Sequence, residues 1–328
     1  MLVCAAAGLA LTACQSSSET AEPSTTRLPA GPGPLAADAV VWALGDTIHV
    51  DELTIPVGEP VRAMVEGNGR LYFLQGRSDV VRVTDGGPPR KTGLRADELR
   101  VSEDDRYLGF LDESERPWST VVVDLESGAV VVDDDAGMGD ADDDLTDLYE
   151  DAEPHVLGFD GDELFVKTAS GNQVMSWDPL TGERTEHGDQ YYFAARDPGG
   201  GQELPALVRR GRLVVPRDPY ASTMPGHASP DGTIAVVPVG GRSQVFEVGT
   251  GRRLSADLQG RQFLLGGWTS AATAYGVAFD GSPFGPHQVR LVTCTLTVEQ
   301  RQCRVLRTVR PPAHALVLFP TGSAASDY

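Results

Sequence analysis

Short runs of β-branched and other apolar residues recur along the chain, and residues typical of turns separate them. Examples lie at residues 71–74, 120–124, 163–167 and 233–239, and each is too short for an ordinary helix. The 37 glycines and 23 prolines are spread between these runs. No segment keeps apolar residues at spacings of three and four for more than about two helical turns. The pattern therefore predicts an all-β protein.

These apolar runs are arranged in a repeat. One unit is a turn followed by a strand, and it occurs at residues 67–73, 102–108, 158–164 and 229–235. A strand that runs into a glycine turn follows each of them, with the sequences VVRVTDGG, VVVDLESG, VMSWDPLTG and VFEVGTG. The period is about 40 residues or somewhat more, which is typical of a four-stranded propeller blade.

The repeat predicts a single β-propeller of six or seven four-stranded blades over residues 38–322, with a tail at 323–328. Candidate blades lie at residues 62–95, 97–132, 155–187, 190–217, 227–256 and 263–310. Strands within residues 39–57 would complete a further blade by pairing with residues 315–319. We expect this pairing of the chain ends because it hides sheet edges that otherwise promote aggregation.

The chain begins with an apolar run that ends at a cysteine. Residues 2–13 carry no charge, and a run of about 12 residues is too short to span a bilayer but suits the core of a signal peptide. A short N-terminal core helix is the alternative interpretation. The sequence LTAC at residues 11–14 resembles the lipobox of bacterial lipoproteins, which implies that residues 1–13 are removed and that Cys14 carries a lipid.

The segment after this cysteine is rich in Ser, Thr, Pro, Gly and Ala up to residue 37. Such a composition buries too little apolar surface to fold, so we expect a disordered tether over residues 14–37. The basic region that normally opens a signal peptide is missing before Cys14, and we expect the true start codon to lie upstream of Met1. The predicted location is the outer face of the cytoplasmic membrane.

Two stretches resemble a known family. Residues 227–254, HASPDGTIAVVPVGGRSQVFEVGTGRRL, resemble one repeat of the WD40-like β-propellers, and WDPLTG at residues 177–182 resembles the end of another. The Gly-His dipeptide of intracellular WD repeats is not in its usual place, so we do not assign the His–Asp hydrogen bond of those repeats here. With its lipobox, the chain is more similar to uncharacterised propeller lipoproteins of actinobacteria. That resemblance implies an extracytoplasmic propeller with a lipid anchor such as palmitate.

The charge balance narrows the classes of partner. The chain has 47 acidic and 27 basic residues, for a net charge of −20. Nucleic-acid binding requires clustered Lys and Arg to neutralise phosphates, and anionic lipid headgroups require the same. The predicted partners are therefore a protein or a small ligand, besides the membrane that holds the lipid anchor.

Two of the four cysteines belong to the leader and its anchor, which leaves Cys294 and Cys303. If Val298 and Glu299 form a two-residue hairpin loop, these cysteines lie directly opposite each other. A disulfide then forms in an oxidising compartment. A metal pair and a catalytic thiol are the alternatives, and both lack a nearby histidine.

An acidic run at residues 133–153 contains no basic residue. Asp140, Asp142 and Asp144 alternate as the carboxylates of calcium loops do, but Leu145 stands where such a loop has glycine. The closing glutamate is also out of register. Two interpretations follow, a solvated loop between blades and a calcium site, and we expect no other cofactor.

No local motif assigns a catalytic residue. The six histidines lack paired spacing, and Ser229 lacks the Gly-x-Ser-x-Gly context of a nucleophile. We expect Ser229 to begin a Pro-Asp-Gly turn. Trp177 and Trp268 have two interpretations, stacking against a sugar and, as is usual for tryptophan in a blade, core packing.

These features predict a membrane-anchored binding or scaffold module for a protein or small ligand. The alternative is a propeller hydrolase or lyase with its site in the central funnel, because residues contributed by several blades leave no local motif. A cluster of His, Asp, Glu or Arg from three or more blades would favour the enzyme. A polar or aromatic surface without perturbed titratable groups would favour binding.

Overall fold

The computed structural model describes residues 34–36, 38–76, 80–140, 144–152, 154–169, 173–187, 202–216, 224–281, 287–312 and 315–321. The elements in chain order are β1 (Val41–Leu44), β2 (Thr47–Val50), β3 (Leu53–Pro56), β4 (Val61–Gly67), β5 (Arg70–Gln75), β6 (Val80–Thr84), β7 (Arg90–Arg95), β8 (Arg100–Val101), β9 (Tyr107–Asp112), β10 (Ser119–Asp124), β11 (Ala129–Asp134), α1 (Leu145–Ala152), β12 (His155–Asp160), β13 (Glu163–Lys167), β14 (Val174–Trp177), β15 (Arg184–His187), β16 (Gln202–Arg209), β17 (Arg212–Val214), β18 (Met224–Ala228), β19 (Ile234–Val239), β20 (Arg242–Glu247), β21 (Arg252–Leu254), β22 (Gln262–Ser270), β23 (Thr273–Phe279), β24 (Val289–Leu296), β25 (Arg301–Val309) and β26 (Val317–Leu318).

These strands form six antiparallel sheets, which we call blades 1 to 6. Blade 1 has the order β26-β1-β2-β3, and blades 2, 3 and 4 consist of β4–β7, β8–β11 and β12–β15. Blade 5 is a closed barrel of six strands in the order β16-β17-β21-β20-β19-β18, and blade 6 consists of β22–β25. The predicted all-β propeller is therefore confirmed, with five four-stranded blades and one six-stranded unit in the described part of the chain.

The candidate blade at residues 190–217 is wrong as a separate unit. Strand β16 pairs with β18 over five positions, from Gln202 opposite Ala228 to Ala206 opposite Met224. Strand β17 pairs with β21 where Arg212 faces Arg252. Both strands therefore extend blade 5, because their free edges are satisfied by strands that follow them in the chain. Residues 188–201 lie outside the described part.

Blade 1 joins the two ends of the chain, as the sequence predicts. Strand β26 pairs with β1, with Leu318 opposite Ala43 and Val317 opposite Leu44. The next residue, Phe319, lies against Gly266 of β22 in blade 6. A Cβ atom at residue 266 would lie 2.3 Å from the Phe319 ring, so the close approach of blades 6 and 1 requires glycine there.

Apolar side chains fill the space between consecutive blades. Buried clusters join blade 5 to 6, 6 to 1, 1 to 2, 2 to 3 and 3 to 4. Trp42, Tyr275 and Phe319 contribute to the cluster between blades 6 and 1. Trp177 is fully buried between blades 3 and 4, which confirms its interpretation as a core residue. The propeller is therefore held together by inter-blade cores as well as by hydrogen bonds within blades.

The acidic run is more ordered than the solvated-loop interpretation predicts. Strand β11 extends through Asp134, and helix α1 occupies Leu145–Ala152. Leu145 and Tyr149 of this helix are buried, and Leu148 and Ala152 pack beside them. This spacing of three and four residues gives a two-turn apolar face, which is too short to predict a helix among so many carboxylates. That helix falls well short of the length needed to cross a bilayer, and the described residues contain no other candidate span.

Candidate functional site

A cavity of about 630 Å³ opens where blades 1, 2, 3 and 6 meet. We call it the acidic cavity. Four carboxylates line it, together with one arginine, two aromatic side chains and several small or apolar residues. Its lining consists of Pro34, Leu35, Ala39, Glu66, Asn68, Gly69, Asp104, Asp105, Arg106, Glu126, Gly267, Trp268, Tyr275 and Pro320. A concave pocket that combines apolar or aromatic side chains with a few polar groups is the usual form of a small-molecule site, so this cavity is the candidate functional site.

The carboxylates come from two neighbouring blades. Glu66 lies at the end of β4 in blade 2, whereas Asp104, Asp105 and Glu126 lie in turns of blade 3. Burial raises the pKa of Glu66 to about 7, and the nearby carboxylate of Asp105 adds to the effect. Burial and the neighbouring Asp104 raise the pKa of Asp105 as well. The cavity therefore concentrates negative charge, with one carboxyl group that titrates near neutral pH.

A tight turn holds Asp105 in place. The Ser102 hydroxyl donates to Asp104 Oδ1 at 2.7 Å and accepts the Tyr107 N–H at 2.9 Å. The Asp105 N–H donates to the Ser102 carbonyl oxygen at 3.0 Å. Asp105 itself has a left-handed backbone, with φ of 60°. A non-glycine residue in this conformation is uncommon, and here it faces the cavity.

Blade 6 supplies the aromatic wall. Trp268 and Tyr275 are each only 5% exposed, and both line the cavity. The Trp268 Nε1–H is buried and has no hydrogen-bond partner within the described residues. Burial and the charge of Glu66 raise the pKa of the Tyr275 hydroxyl. Both rings are therefore mostly packed in the cores between blades, and only a small part of their apolar surface faces the cavity.

The segment before β1 forms part of the rim. The Leu35 N–H donates to the Gly69 carbonyl oxygen at 2.7 Å, which places Pro34 and Leu35 over the turn that follows β4. In the same turn, the Asn68 side-chain amide donates to the Leu125 carbonyl oxygen at 2.9 Å. This bond links blade 2 to blade 3 beside the carboxylates, so the geometry of the cavity is fixed by the fold itself.

The acidic cavity combines features of both predicted functional classes. Its carboxylates and Arg106 come from blades 2 and 3, whereas charged residues from at least three blades would favour an enzyme. Blade 6 contributes aromatic rings and no charged residue. Glu66, however, is a perturbed titratable group. In the described residues no group of three His, Cys, Asp or Glu side chains is arranged to hold a metal ion.

The predicted disulfide is confirmed. Cys294 lies directly opposite Cys303 on β24 and β25, with a Cα–Cα distance of 4.0 Å, and the two are bonded. The Thr297 N–H donates to the Gln300 carbonyl oxygen at 2.7 Å, which closes the predicted loop around Val298. The alternatives of a metal pair and a catalytic thiol are therefore wrong. Cys14 lies outside the described residues, and its lipidation stays a prediction.

The calcium candidates are described only in part. Asp142 lies outside the described residues, and Asp140 and Asp144 are both exposed. The Asp144 carbonyl oxygen accepts the Leu148 N–H at 3.0 Å, so Asp144 begins helix α1. A calcium site at Asp140, Asp142 and Asp144 stays a prediction. Titration of wild type and Asp142→Asn/Asp144→Asn with calcium in a calorimeter would test it.

Two serines are structural. Ser229 donates to Asp231 at 2.6 Å and accepts the Ile234 N–H at 3.1 Å, which confirms the predicted turn.

A second serine, Ser176, lies between Glu163 and His187 in blade 4, an arrangement that the sequence did not indicate. Its hydroxyl donates to Glu163 at 2.6 Å and lies 2.7 Å from His187 Nε2. Because the hydroxyl proton is given to the carboxylate and the serine is fully buried, the histidine is not its general base.

Sequence reasoning missed Glu66 and Asp105, whereas it gave Trp268 two interpretations, ligand stacking and core packing, and the structure places that residue in the core and in the lining of the cavity. The four carboxylates are separated by up to 60 residues in the chain, so no spacing connects them. The only local signal is the repeated turn, in which Asp105 stands where another copy has glycine.

Comparisons with known proteins give a likeness of fold. No protein-family model matches the chain, and no curated protein matches it. Among solved structures, apo AztD from Citrobacter koseri has a TM-score of 0.46 and 11% identity, covering 85% of this chain and 96% of that one. A hypothetical selenium-binding protein from Sulfolobus tokodaii has a TM-score of 0.45 and 11% identity, covering 90% and 95%. The RRP9 WD40 repeats have a TM-score of 0.41 and 14% identity, covering 86% and 87%.

Proposed function

We propose that the protein is a lipid-anchored, extracytoplasmic binding protein that takes a small organic cation into the acidic cavity. The observation that carries this proposal is that the carboxylates of Glu66, Asp104 and Asp105 line the same cavity as the rings of Trp268 and Tyr275. A ligand with a positive charge and an apolar body would satisfy both walls. Organic cations bind to aromatic faces and to carboxylates in this way.

The charge of the cavity supports a cation. Four carboxylates and one arginine are the charged side chains that line it. Arg106 is already engaged by Asp124 at 3.2 Å, so it neutralises little of the cavity. The chain as a whole carries −20, and its field adds to the local attraction.

The cavity has the size and shape of a small-molecule site. Its volume of about 630 Å³ lies within the range of such sites, roughly 300–1,000 Å³. A small ligand is therefore favoured over a protein partner for this surface, although a scaffold role for the rest of the propeller is compatible with it.

Calorimetric titration with choline tests the proposal. Its neutral isostere, 3,3-dimethylbutan-1-ol, serves as the probe that lacks only the charge. We expect choline to bind saturably and the isostere to bind at least tenfold more weakly, because the isostere lacks the charge that the carboxylates attract. A tenfold difference in Kd corresponds to about 1.4 kcal/mol of binding free energy. Equal binding of the two probes, or binding of neither, would contradict a cation site.

Two variants locate the binding. Trp268→Phe removes the unpaired indole N–H and shortens the aromatic side chain, so we expect weaker choline binding together with some loss of stability, because Trp268 packs in the core between blades 5 and 6. Trp177→Phe is the matched control, because Trp177 is buried between blades 3 and 4 and does not line the cavity. We expect it to leave choline affinity unchanged.

Membrane anchoring through Cys14 is the second part of the proposal. The apolar leader and the LTAC sequence support it, and the Cys294–Cys303 disulfide supports an oxidising compartment. Cys14→Ser should release the protein from the membrane fraction and abolish incorporation of labelled palmitate. Retention of the variant in the membrane would contradict a lipid anchor at this residue.

A hydrolase or lyase is the second candidate function, and one observation favours it. Burial raises the pKa of Glu66 to about 7, and a carboxyl group that titrates near neutral pH is suited to general acid–base chemistry. Mass spectrometry of any bound ligand after prolonged incubation distinguishes the two functions. Turnover that Glu66→Gln abolishes while binding persists would establish the enzyme, whereas an unchanged ligand supports binding alone.

A further inference from the structure

A second concave surface lies between blades 5 and 6, away from the acidic cavity. It is a cleft of about 540 Å³ whose lining contains Arg242, Arg253, Arg261 and Arg290. We call it the arginine cleft. Two carboxylates, Asp257 and Asp280, are the only acidic residues of its lining, so four guanidinium groups face two negative charges. The lining of the cleft is therefore positively charged, although the chain as a whole has a net charge of −20.

Hydrogen bonds hold the walls of the cleft in place. The Ser243 hydroxyl accepts the Phe263 N–H at 2.9 Å and donates to the Phe263 carbonyl oxygen at 3.0 Å. The Ser243 N–H donates to the Arg261 carbonyl oxygen at 3.0 Å. These bonds join the beginning of β20 to the beginning of β22, so the two walls are positioned before any ligand arrives.

Both carboxylates of the cleft are already engaged. Asp280 accepts the Arg290 guanidinium at 2.7 Å and the Arg261 backbone N–H at 3.1 Å. Asp257 accepts the backbone N–H of Gln259 at 3.0 Å and its side-chain amide at 3.1 Å. Within the described residues neither carboxylate forms an ion pair with Arg242, Arg253 or Arg261, although the pKa of Asp280 is lowered by its hydrogen bond to Arg290 and, less strongly, by the charge of Arg261.

Several guanidinium donors remain unused. Arg242, Arg253 and Arg261 are exposed, and within the described residues none of them makes an ion pair or donates a side-chain hydrogen bond. The Nε–H of Arg290 is buried without an acceptor. The exposed side chains of Arg242, Arg253 and Arg261 are therefore the guanidinium groups of the cleft that are open to a ligand.

We propose that the arginine cleft binds the phosphoryl group of a ligand. A planar guanidinium group donates two parallel hydrogen bonds to two oxygens of a phosphate. A phosphoryl dianion has enough acceptor oxygens to bind several arginines at once. A monocarboxylate offers two oxygens in one plane and engages fewer of them. The phosphoryl group belongs either to a soluble phosphate or to a phospholipid headgroup of the membrane to which the chain is expected to be anchored.

Calorimetry with inorganic phosphate at low ionic strength tests the soluble source. The protein is the full chain carrying Cys14→Ser, so that no lipid anchor contributes. We expect saturable binding of phosphate and at least tenfold weaker binding of acetate. The Arg242→Gln/Arg253→Gln variant should weaken phosphate binding at least tenfold, because two charge-assisted contacts are lost. Arg304→Gln, an exposed arginine on β25 outside the cleft, is the matched control and should leave the affinity unchanged.

Vesicle co-sedimentation tests the lipid source with the same proteins. Binding to phosphatidylglycerol vesicles, absent with phosphatidylcholine and lost in the double variant, would assign the phosphoryl group to a lipid headgroup. The proposal is overturned if neither phosphate nor vesicles bind, or if Arg304→Gln weakens binding as much as the double variant does. Choline binding to the acidic cavity reports separately on that site, so the two proposals fail independently.

Discussion

Asp105 and Gly232 hold the same left-handed position in two copies of one turn, with φ of 60° and 67°. In each copy a serine hydroxyl donates to the aspartate two residues later and accepts a backbone N–H five residues later. The repeat therefore shows what backbone this turn requires, and glycine meets the requirement without steric cost. Blade 3 departs from it by placing a carboxylate there, at the edge of the acidic cavity.

Replacement of Asp105 by glycine should stabilise the protein. The substitution relieves the left-handed backbone and removes a carboxylate that raises the pKa of Glu66, and we expect a gain of about 0.5–1 kcal/mol in the free energy of unfolding. Urea denaturation measures it. An NMR titration of the Glu66 carboxyl group should show its pKa moving down toward the ordinary value.

The reciprocal variant, Gly232→Asp, is the control for this turn. No atom lies within 4 Å of a Cβ built at residue 232, so any loss of stability reports on the backbone alone. We expect a loss of about 0.5–1 kcal/mol. If both variants leave the urea midpoint unchanged, the left-handed backbone imposes no cost on a side chain at either position.

Stability should fall as pH rises from about 4.5 to about 7. Glu66 and Glu113 each have a pKa raised to about 7 from the ordinary value of 4.5, with burial as the main cause. Between these values the folded state binds more protons than the unfolded state, so the stabilisation is complete below pH 4.5 and is lost as the folded carboxyl groups ionise.

Glutamine variants separate the two contributions. Glu66→Gln and Glu113→Gln should each flatten the dependence of unfolding free energy on pH by an amount on the order of 1 kcal/mol, since both groups retain some contact with solvent. Only Glu66→Gln should also change choline binding, because Glu113 does not line the acidic cavity. Parallel profiles for wild type and Glu66→Gln would show that Glu66 titrates at its ordinary pKa.

The sequence predicts the fold much better than the site. Strand alternation, the repeated turns and the spacing of Cys294 and Cys303 are local signals, and each is determined by residues near one another in the chain. The acidic cavity depends on contacts between blades, which bring Glu66 near Asp105 and place Trp268 in the same lining. Nothing in the local pattern distinguishes Trp268 from the core residue Trp177, since both are buried tryptophans of a blade.

Reduction of the disulfide should destabilise the propeller without unfolding blade 6. Cys294 and Cys303 are separated by 9 residues, and a cross-link over so short a loop contributes about 2–3 kcal/mol by restricting the unfolded chain. Urea denaturation with and without dithiothreitol measures the loss. Cys294→Ala/Cys303→Ala should unfold at the midpoint of the reduced protein and should not respond to dithiothreitol. An equal response of that variant would mean that the reductant acts elsewhere.

Asp134 of blade 3 and Trp177 of blade 4 should be coupled energetically, because a hydrogen bond links their side chains. The indole Nε1–H donates to Asp134 Oδ2 at 3.0 Å, and Trp177 is fully buried. Asp134→Ala leaves this donor unsatisfied in the core, and we expect a loss of about 2 kcal/mol. In a Trp177→Phe background the same change should cost about 1 kcal/mol less, because there is no donor left to satisfy.

Arg184 provides the control for this cycle, because it also pairs with Asp134, at 3.0 Å, but remains largely exposed. Arg184→Gln should cost less than about 1 kcal/mol, as exposed ion pairs do. A double-mutant cycle from urea denaturation measures both couplings. Equal coupling of Asp134 to Arg184 and to Trp177 would mean that surface charge dominates this contact. A larger coupling to Trp177 would assign Asp134, an early residue of the acidic run, to the packing of two blades.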